Sequence, residues 1–229
     1  MSSMSSKSGQ MVEPGNQMDQ MYRYQRHIYD LSRKYYLLGR DRLLDTLSVQ
    51  PGEHILEIGC GTARNLITLA NRHPETHFFG VDISQEMLTT ARRKIIGADV
   101  DHQIVVKCSA AEDFHFHRTF SLLSPVDSIF FSYSLSMIPT WRESLQNALL
   151  NLKPGGTLFI IDFCDSSDLP PWFRKLLHTW LARFGVYFRP EVLEHLHLQQ
   201  TQGLGTLSVE FLYRRYAYLA SFKKSERVK

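Results

Sequence analysis

Short apolar runs alternate with amphipathic segments from about residue 50 to residue 163. The apolar runs are rich in Ile, Val and Phe and predict buried strands, whereas the segments between them repeat apolar residues with helical spacing. Near-continuous apolar strands that alternate with helices are typical of a parallel sheet covered on both faces. The predicted strands lie within 51–60, 77–84, 102–110, 128–134 and 157–163, and the predicted helices are 62–73, 84–95 and 141–152.

The flanking segments complete this picture. Residues 21–47 show a helical pattern, 168–200 form a partly helical insertion, and two further apolar runs, 206–212 and 215–222, predict closing strands. The prediction is therefore an α/β fold: one doubly wound, mostly parallel seven-stranded sheet with N-terminal helices and a helical insertion after strand five. We expect one domain at 21–222.

Composition adds limits to what lies outside and around that domain. Residues 1–20 are rich in Ser, Gln and Met without periodicity, which predicts a disordered tail and no signal peptide, and 223–229 form a basic tail. No apolar run is long enough to span a membrane, and the three cysteines predict free thiols in a reducing compartment. The two His-x-His segments, 115–117 and 195–197, lack companion ligands, so we expect no metal. The sequence contains no RNA-binding module and no strongly basic domain, so we expect no nucleic-acid partner.

Charge is uneven, although the net charge is only +3. Segment 22–42 has six Lys or Arg against two acids, 170–190 has four against none, and 214–229 has six against one. Two interpretations remain open: ordinary surface charge, or a basic face that meets an anionic surface.

The stretch "LEIGCGTARN" (56–65) carries the first chemical signal. Gly59 and Gly61 lie where the first strand ends and its helix begins, and Asp82 ends the second strand 21 residues after Gly61. Such a loop brings backbone close to a bound adenosine, while the acid accepts the ribose hydroxyls. Arg64 occupies the position where a dinucleotide site needs a small residue, which disfavours a nicotinamide or flavin nucleotide.

Five motifs in order, "LEIGCGTARN", "GVDIS", "CSAAEDFHF", "DSIFFSYSLSMI" and "LKPGGTLFIIDF", resemble the class I S-adenosylmethionine-dependent methyltransferases. The resemblance implies S-adenosylmethionine as cofactor, with the glycine loop beneath its methionine part and Asp82 on its ribose. It puts alanine where the family often has an adenine-binding acid, with Glu112 as a substitute. The cofactor residues that it implies are Gly59, Cys60, Gly61, Asp82, Ile83, Met87, Ala110, Ala111 and Ser132.

A tyrosine–arginine repeat marks the N-terminal segment. Tyrosines 22, 29 and 36 each precede an arginine by four residues, so a continuous helix would place all six side chains on one stripe. This stripe is either a solvated helix face or a wall of the active site, where tyrosine rings attract cations and guanidinium groups bind carboxylates.

The segments 21–44, 132–145 and 162–184 resemble the diacylglycerylhomoserine N-methyltransferases of betaine-lipid synthesis, with similarity from about residue 19 to 222. The resemblance implies three methyl transfers to the homoserine amine of this lipid, after another enzyme, a candidate partner, has added the homoserine. Open alternatives are a phosphatidylethanolamine or quinone methyltransferase, and a cofactor-binding module without turnover. The predicted catalytic residues are Tyr29, Tyr36, Arg33, Arg40, Asp162 and Asp165, although both aspartates also suit a strand-end cap or turn.

The insertion "PPWFRKLLHTWLARF" places its aromatic and leucine residues on one helical stripe and its cations off it. This pattern is typical of an interfacial helix, and equally of a helix that covers the sheet or contacts a second subunit. With the interfacial interpretation, we expect a cytoplasmic protein peripheral on the inner membrane face. The oligomeric state stays open.

Overall fold

Seven strands form a single sheet in the computed structural model, which describes residues 37–183 and 186–226. The central strands are almost fully buried, because both faces of the sheet are covered. The strands are β1 (His54–Ile58), β2 (His77–Asp82), β3 (Ile104–Cys108), β4 (Val126–Ser132), β5 (Leu152–Phe163), β6 (Gly205–Leu212) and β7 (Ala217–Lys224).

The strand order is β3-β2-β1-β4-β5-β7-β6. Strands β1 to β5 pair in parallel, and β7 pairs antiparallel with both β5 and β6. The chain moves outward in one direction from β1 to β3 and then returns to β4 on the other side of β1. This reversal creates a crevice at the carboxyl ends of β1 and β4, where open α/β sheets bind ligands. The predicted doubly wound, mostly parallel sheet is confirmed.

Helices cover both faces of the sheet, and the sheet separates two apolar clusters. One cluster joins the sheet to the helices that precede β1, β2 and β3, and the other joins it to helices before β5 and β6. The helices are α1 (Arg40–Thr46), α2 (Arg64–Arg72), α3 (Gln85–Gly97), α4 (Phe116–Phe120), α5 (Trp141–Leu150), α6 (Pro171–Ala182) and α7 (Pro190–Thr201), with a 3₁₀ turn at Leu135–Met137.

The N-terminal helix differs from its prediction. Gly39 has a left-handed backbone (φ +82°), so α1 begins only at Arg40, after a turn. A single continuous helix over 21–47 is therefore wrong at this point, and Arg40 does not continue a stripe from the preceding residues. The tail 1–20 and the segment 21–36 lie outside the described residues.

The observed start of β5 and the observed end of β7 also differ from the predicted boundaries. Strand β5 begins at Leu152, paired with Val126, and its "KPGG" segment loops out before Thr157 pairs with Ser128. Strand β7 runs to Lys224, two residues beyond the predicted domain end at 222. The Lys224 ammonium explains this extension, because it donates hydrogen bonds of 2.7 Å to the carbonyls of Leu149 and Leu152.

Candidate cofactor and active site

The glycine loop turns sharply at the carboxyl end of β1. Gly59 has φ +75° and Gly61 has φ +52°, in the left-handed region that favours glycine. A side chain at Gly59 would lie 2.5 Å from Cβ of Ser134, so only glycine lets the loop after β4 approach this closely. Ala63 is also left-handed (φ +60°) and fully buried. Glycine would adopt this conformation without the strain that alanine carries.

Asp82 fixes this loop from the end of β2. One carboxylate oxygen accepts a 2.8 Å hydrogen bond from the Gly61 amide, and the other accepts one of 2.9 Å from the Ser84 amide. The Ser84 hydroxyl in turn accepts a hydrogen bond from Met87 N and is the N-cap of α3. Asp82 thus ties the glycine loop to the next helix while remaining on the wall of the cavity.

A cavity of about 750 Å³ opens along the carboxyl ends of β1, β2 and β4. This volume falls in the range of ordinary small-molecule sites. The structure brings all nine predicted cofactor residues together on its wall; their role in binding stays a prediction. They are Gly59, Cys60, Gly61, Asp82, Ile83, Met87, Ala110, Ala111 and Ser132.

The lining suits a cofactor with polar and apolar parts. Ser132 Oγ is buried at the cavity wall and has no hydrogen-bond partner within the described residues, so it can bond to a bound ligand or to water. Ile83 keeps 36% of its surface exposed beside Met87, which offers apolar contact for an adenine ring. The close approach at Gly59 leaves backbone rather than side chain along the floor. These residues fit S-adenosylmethionine.

Glu112 lies beside the two alanines on this wall. Its Oε1 accepts a 2.9 Å hydrogen bond from Thr140 Oγ1. The Ser144 hydroxyl lies 3.5 Å from Oε2 but donates its proton to the Thr140 carbonyl at 2.8 Å. Glu112 therefore positions the start of α5 through Oε1.

A second buried acid, Glu57, was missed as a site residue. It is 2% exposed, lines the cavity, and accepts a 2.7 Å hydrogen bond from Asn65 on α2. A charge inside an otherwise apolar strand, eight residues before a matching amide, was the available signal. The pair holds the glycine loop from both ends.

Tyr133 is a further wall residue that the sequence did not single out. It has a left-handed backbone (φ +54°), which is strained for a tyrosine. Its hydroxyl donates to the carbonyl of Leu38, and burial raises the pKa of the phenol well above its ordinary value. It therefore fixes the entry of the N-terminal segment against the loop after β4.

Asp162 lies beneath that loop and does not line the cavity. It is 2% exposed, and its oxygens accept 2.8 Å hydrogen bonds from the amides of Ser136 and Phe163. Burial raises its pKa to about 6. Its contacts are those of a strand-end cap, so the prediction that it orients the substrate amine directly does not agree with its placement.

Asp165 is also withdrawn from the cavity wall. Its carboxylate accepts bonds of 2.9 and 2.7 Å from Arg215, in a bidentate pair across 50 residues. This pairing holds the pKa of Asp165 below its ordinary value. The geometry is that of a turn acid tied to the β6–β7 connection, so the catalytic prediction for this residue is not supported.

Arg40 is the predicted catalytic residue that the described structure places on the cavity wall. Leu37 lies beside it, so the chain enters the fold at the rim of the cavity. Tyr29, Tyr36 and Arg33 precede residue 37 and lie outside the described residues. Their predicted roles stay predictions.

Comparison with known protein families indicates methyl transfer as the chemistry of the cavity. Residues 56–158 match the family model described as "Methyltransferase domain". This segment includes the glycine loop, Asp82 and the loop after β4, so the match covers most of the cavity lining. S-adenosylmethionine is the cofactor, in agreement with the fit of the lining.

Curated relatives extend over most of the chain. The demethylmenaquinone methyltransferase of Listeria monocytogenes serotype 4a is 27% identical over 197 residues, which cover 82% of this chain and 80% of that protein. The enzyme of the same name from Halalkalibacterium halodurans is 26% identical over 167 residues, covering 71% of this chain and 65% of that protein.

Solved structures share the fold at low identity. Phosphoethanolamine N-methyltransferase 2 of Haemonchus contortus, in complex with S-adenosyl-L-methionine, has a TM-score of 0.70 at 14% identity, covering 90% of this chain and 59% of that one. The [4+2]-cyclase SpnF has a TM-score of 0.69 at 15% identity, covering 96% and 100%. Because a cyclase shares this fold, the fold alone does not fix the reaction.

Proposed function

We propose that this protein is an S-adenosylmethionine-dependent N-methyltransferase that trimethylates the homoserine amine of diacylglycerylhomoserine. The acceptor follows from the resemblance of residues 21–44, 132–145 and 162–184 to enzymes of betaine-lipid synthesis. The curated relatives favour a second candidate, methylation of a quinone precursor, since they are named demethylmenaquinone methyltransferases.

The observation that carries the choice is the state of the cavity's acids and bases. Among the described lining residues there is no histidine, and Asp82, Glu57 and Glu112 each accept hydrogen bonds from protein groups. Burial raises the pKa values of the Cys60 thiol and the Tyr133 phenol, so neither is a ready proton acceptor. The described wall thus has no histidine, and its carboxylates take part in hydrogen bonds with the protein.

This lining favours an amine over a ring carbon. The α-amino group of a peptide terminus has a pKa of about 7.7–8.0, and the free carboxylate of the homoserine headgroup raises the pKa of its amine above that range. The amine pKa nevertheless stays below the value of about 10 of a phenol, so the neutral nucleophile costs less at neutral pH. A quinol ring carbon becomes nucleophilic when a hydroxyl with a pKa near 10, like that of tyrosine, loses its proton, which needs a base. Position and alignment suffice for the amine.

When bound, S-adenosylmethionine supplies an electrophilic methyl group on its sulfonium. The protein's task is to align the acceptor nitrogen with that methyl carbon and exclude water. The glycine loop and Asp82 fix the cofactor side, while Arg40 offers a guanidinium to a carboxylate of the acceptor or cofactor. A proton leaves the nitrogen to solvent before each of the three transfers, each transfer releases S-adenosylhomocysteine, and the third leaves a quaternary ammonium.

Labelled S-adenosylmethionine and detergent-dispersed acceptors test the proposal, with products followed by lipid mass spectrometry. We expect diacylglycerylhomoserine to gain one, two and three methyl groups. Methylation of demethylmenaquinol instead would establish the second candidate, and methylation of phosphatidylethanolamine alone would also overturn the first. Cofactor binding without transfer to any acceptor would indicate a binding module.

Arg40→Leu separates the acceptors further. If Arg40 binds the homoserine carboxylate, the variant should lose much of its kcat/KM for diacylglycerylhomoserine and little for an acceptor without a carboxylate. An equal loss with every acceptor would instead assign Arg40 to the cofactor. Calorimetry with S-adenosylhomocysteine distinguishes that case directly.

A further inference from the structure

Helix α6 divides its apolar side chains between the core and the surface. Leu177, Trp180 and Leu181 pack on the apolar cluster of the sheet. Trp172 and Leu176, in contrast, are 71% and 61% exposed, and Phe173 between them is 39% exposed. The helix therefore covers the sheet with one part of its apolar stripe and presents the other outward.

Cations accompany this exposed apolar surface without any acids. Residues 169–190 contain four Lys or Arg and no Asp or Glu. Lys175 and Arg183 are exposed on and just after α6, and Arg174 is half-buried. Apolar aromatic side chains interleaved with cations complement a surface that is anionic outside and apolar beneath.

The β6–β7 connection lies next to the start of this region. Three successive residues, Tyr213 to Arg215, have positive φ angles between 52° and 57°, and the Tyr213 side chain is 52% exposed. Arg215 donates hydrogen bonds to Asp165 from Nε and Nη2, and its carbonyl accepts a 2.8 Å hydrogen bond from the Ser166 amide. The connection is thereby tied to the segment that leads into α6.

The same connection reaches the rim of the cavity. A side chain at Gly39 would lie 3.2 Å from the Tyr213 ring, and Gly39 separates the two cavity-lining residues Leu37 and Arg40. The cavity rim contacts the β6–β7 connection, and this connection contacts the segment that leads into α6, so the three form one edge at the carboxyl ends of the parallel strands.

We propose that this edge is a docking surface for an anionic phospholipid bilayer, formed by Trp172, Phe173, Leu176, Lys175, Tyr213 and Arg214. The inference rests on the proposed function, because a lipid-borne acceptor must pass from a bilayer to the cavity rim. Trp and Tyr side chains suit the headgroup region, and the cations suit its negative potential. None of the described helices is long and apolar enough to cross a membrane, so the docking is peripheral.

Flotation of the full chain with vesicles tests the surface. We expect binding to vesicles of phosphatidylcholine mixed with phosphatidylglycerol, and far weaker binding to phosphatidylcholine alone. Trp172→Ser combined with Phe173→Ser should lower vesicle affinity by about tenfold or more, since buried apolar area sets interfacial binding. Lys175→Glu should weaken binding to the anionic vesicles selectively.

Matched controls come from outside this surface. Leu123→Ser with Leu150→Ser removes two apolar side chains that are 95% and 71% exposed, before β4 and β5, where those strands begin. Arg93→Glu reverses an exposed charge near the end of α3. Both controls should bind vesicles as the wild type does. Equal loss in the controls would overturn the assignment of the surface.

Turnover separates docking from chemistry. With a water-soluble short-chain acceptor, the Trp172/Phe173 variant should keep the wild-type kcat/KM, whereas with the acceptor in vesicles it should fall in step with binding. Wild-type protein that methylates the soluble acceptor but never binds vesicles would overturn the docking and leave the proposed function intact. Release of a dimer by the same variant, without vesicle binding, would assign the surface to a second copy and also overturn the proposal.

Discussion

The two halves of the cavity are held by contacts of different range. On the side of β1, β2 and β3, the anchoring bonds join residues close in sequence: Asn65 to Glu57 over eight residues and Gly61 to Asp82 over 21. On the side of β4, β5 and β7, Tyr133 reaches Leu38 over 95 residues and Arg215 reaches Asp165 over 50. We call these the cofactor half and the acceptor half.

This difference reflects what each half must do. The cofactor half faces S-adenosylmethionine, which is the same molecule whatever the acceptor, so a short strand–loop–helix unit suffices. The acceptor half combines the N-terminal entry, the loop after β4, helix α6 and the β6–β7 connection, and its shape depends on how distant segments meet. Variation in acceptor is therefore expected to arise in this half.

The largest expected effect is a loss of cofactor affinity caused by a substitution in the cofactor half. Gly59→Ala forces a left-handed alanine and places its Cβ 2.5 Å from Ser134, so the loop must move. We expect S-adenosylhomocysteine affinity to fall by more than about 100-fold, well beyond the roughly 1–2 kcal/mol of backbone strain. Calorimetry measures the loss.

Gly52→Ala is the matched control, because Gly52 has φ +79° but open space around its missing side chain. It should lose only the strain, seen as a lower free energy of unfolding, and keep cofactor affinity. If both variants bind cofactor alike, the close contact with Ser134 has no bearing on the site.

The buried carboxylate of Asp162 gives the second effect, in the acceptor half. Its pKa is raised to about 6 from an ordinary 3.8, so between these values the native protein keeps a proton that the unfolded chain has released. The free energy of unfolding should therefore fall as pH rises through this window, by about 3 kcal/mol in total. Asp162→Asn removes this titration.

The advantage of the wild type over Asp162→Asn should accordingly be greatest near pH 4 and shrink until about pH 6. Urea unfolding of both proteins across that range measures it. Asp101→Asn, which alters an exposed carboxylate, serves as the reference. A difference that does not change with pH would mean that Asp162 is not the buried acid of this half.

The sequence predicted where the cofactor half lies, although it missed Glu57, and the binding role of these residues stays a prediction. Gly59, Gly61 and Asp82 lie on one wall because a strand, a tight turn and a helix fix their positions locally, and the next parallel strand ends beside them. Their spacing predicted this placement because the bonds from Asn65 to Glu57 and from Gly61 to Asp82 form inside one βαβ unit.

The acceptor half was predicted as elements but not as contacts. Asp162 lies at the end of strand five and Asp165 just after it, and nothing nearby in the sequence distinguishes them from catalytic acids. One is buried because a loop 26 residues earlier supplies an amide, and the other is paired because β7 brings Arg215 beside it. The predicted continuous N-terminal helix overlooked Gly39, whose left-handed turn redirects the chain.

The third prediction returns to the cofactor half and sharpens the role of Asp82. Asp82→Ala removes the acceptor for the Gly61 and Ser84 amides as well as the predicted ribose contact. We expect cofactor binding to weaken by about 1.5–3 kcal/mol, the range for hydrogen bonds to a charged group. Unchanged affinity in calorimetry would remove Asp82 from the site.

The smallest effect compares one ion pair from each half. Arg215 and Asp165 form a bidentate pair with side chains about one third exposed, whereas Arg72 and Asp45 in the cofactor half pair at 2.8 Å with more exposed side chains. Double-mutant cycles to alanine should give a coupling energy of about 1 kcal/mol for the first pair and at most about 0.5 kcal/mol for the second, because solvent screens exposed pairs.

The Asp165–Arg215 coupling should also depend on pH with a definite sign. Arg215 lowers the pKa of Asp165, so the pair stabilises the fold above the ordinary pKa of an aspartate and loses this contribution as pH falls below it.

Steady-state kinetics distinguish the two halves. Asp165→Ala should raise KM for the acceptor without changing cofactor affinity, because it releases the β6–β7 connection from the chain that leads into α6. Asp45→Ala should change neither quantity. If Asp165→Ala weakened cofactor binding as much as acceptor binding, the two halves would be one mechanical unit and the distinction between them would fail.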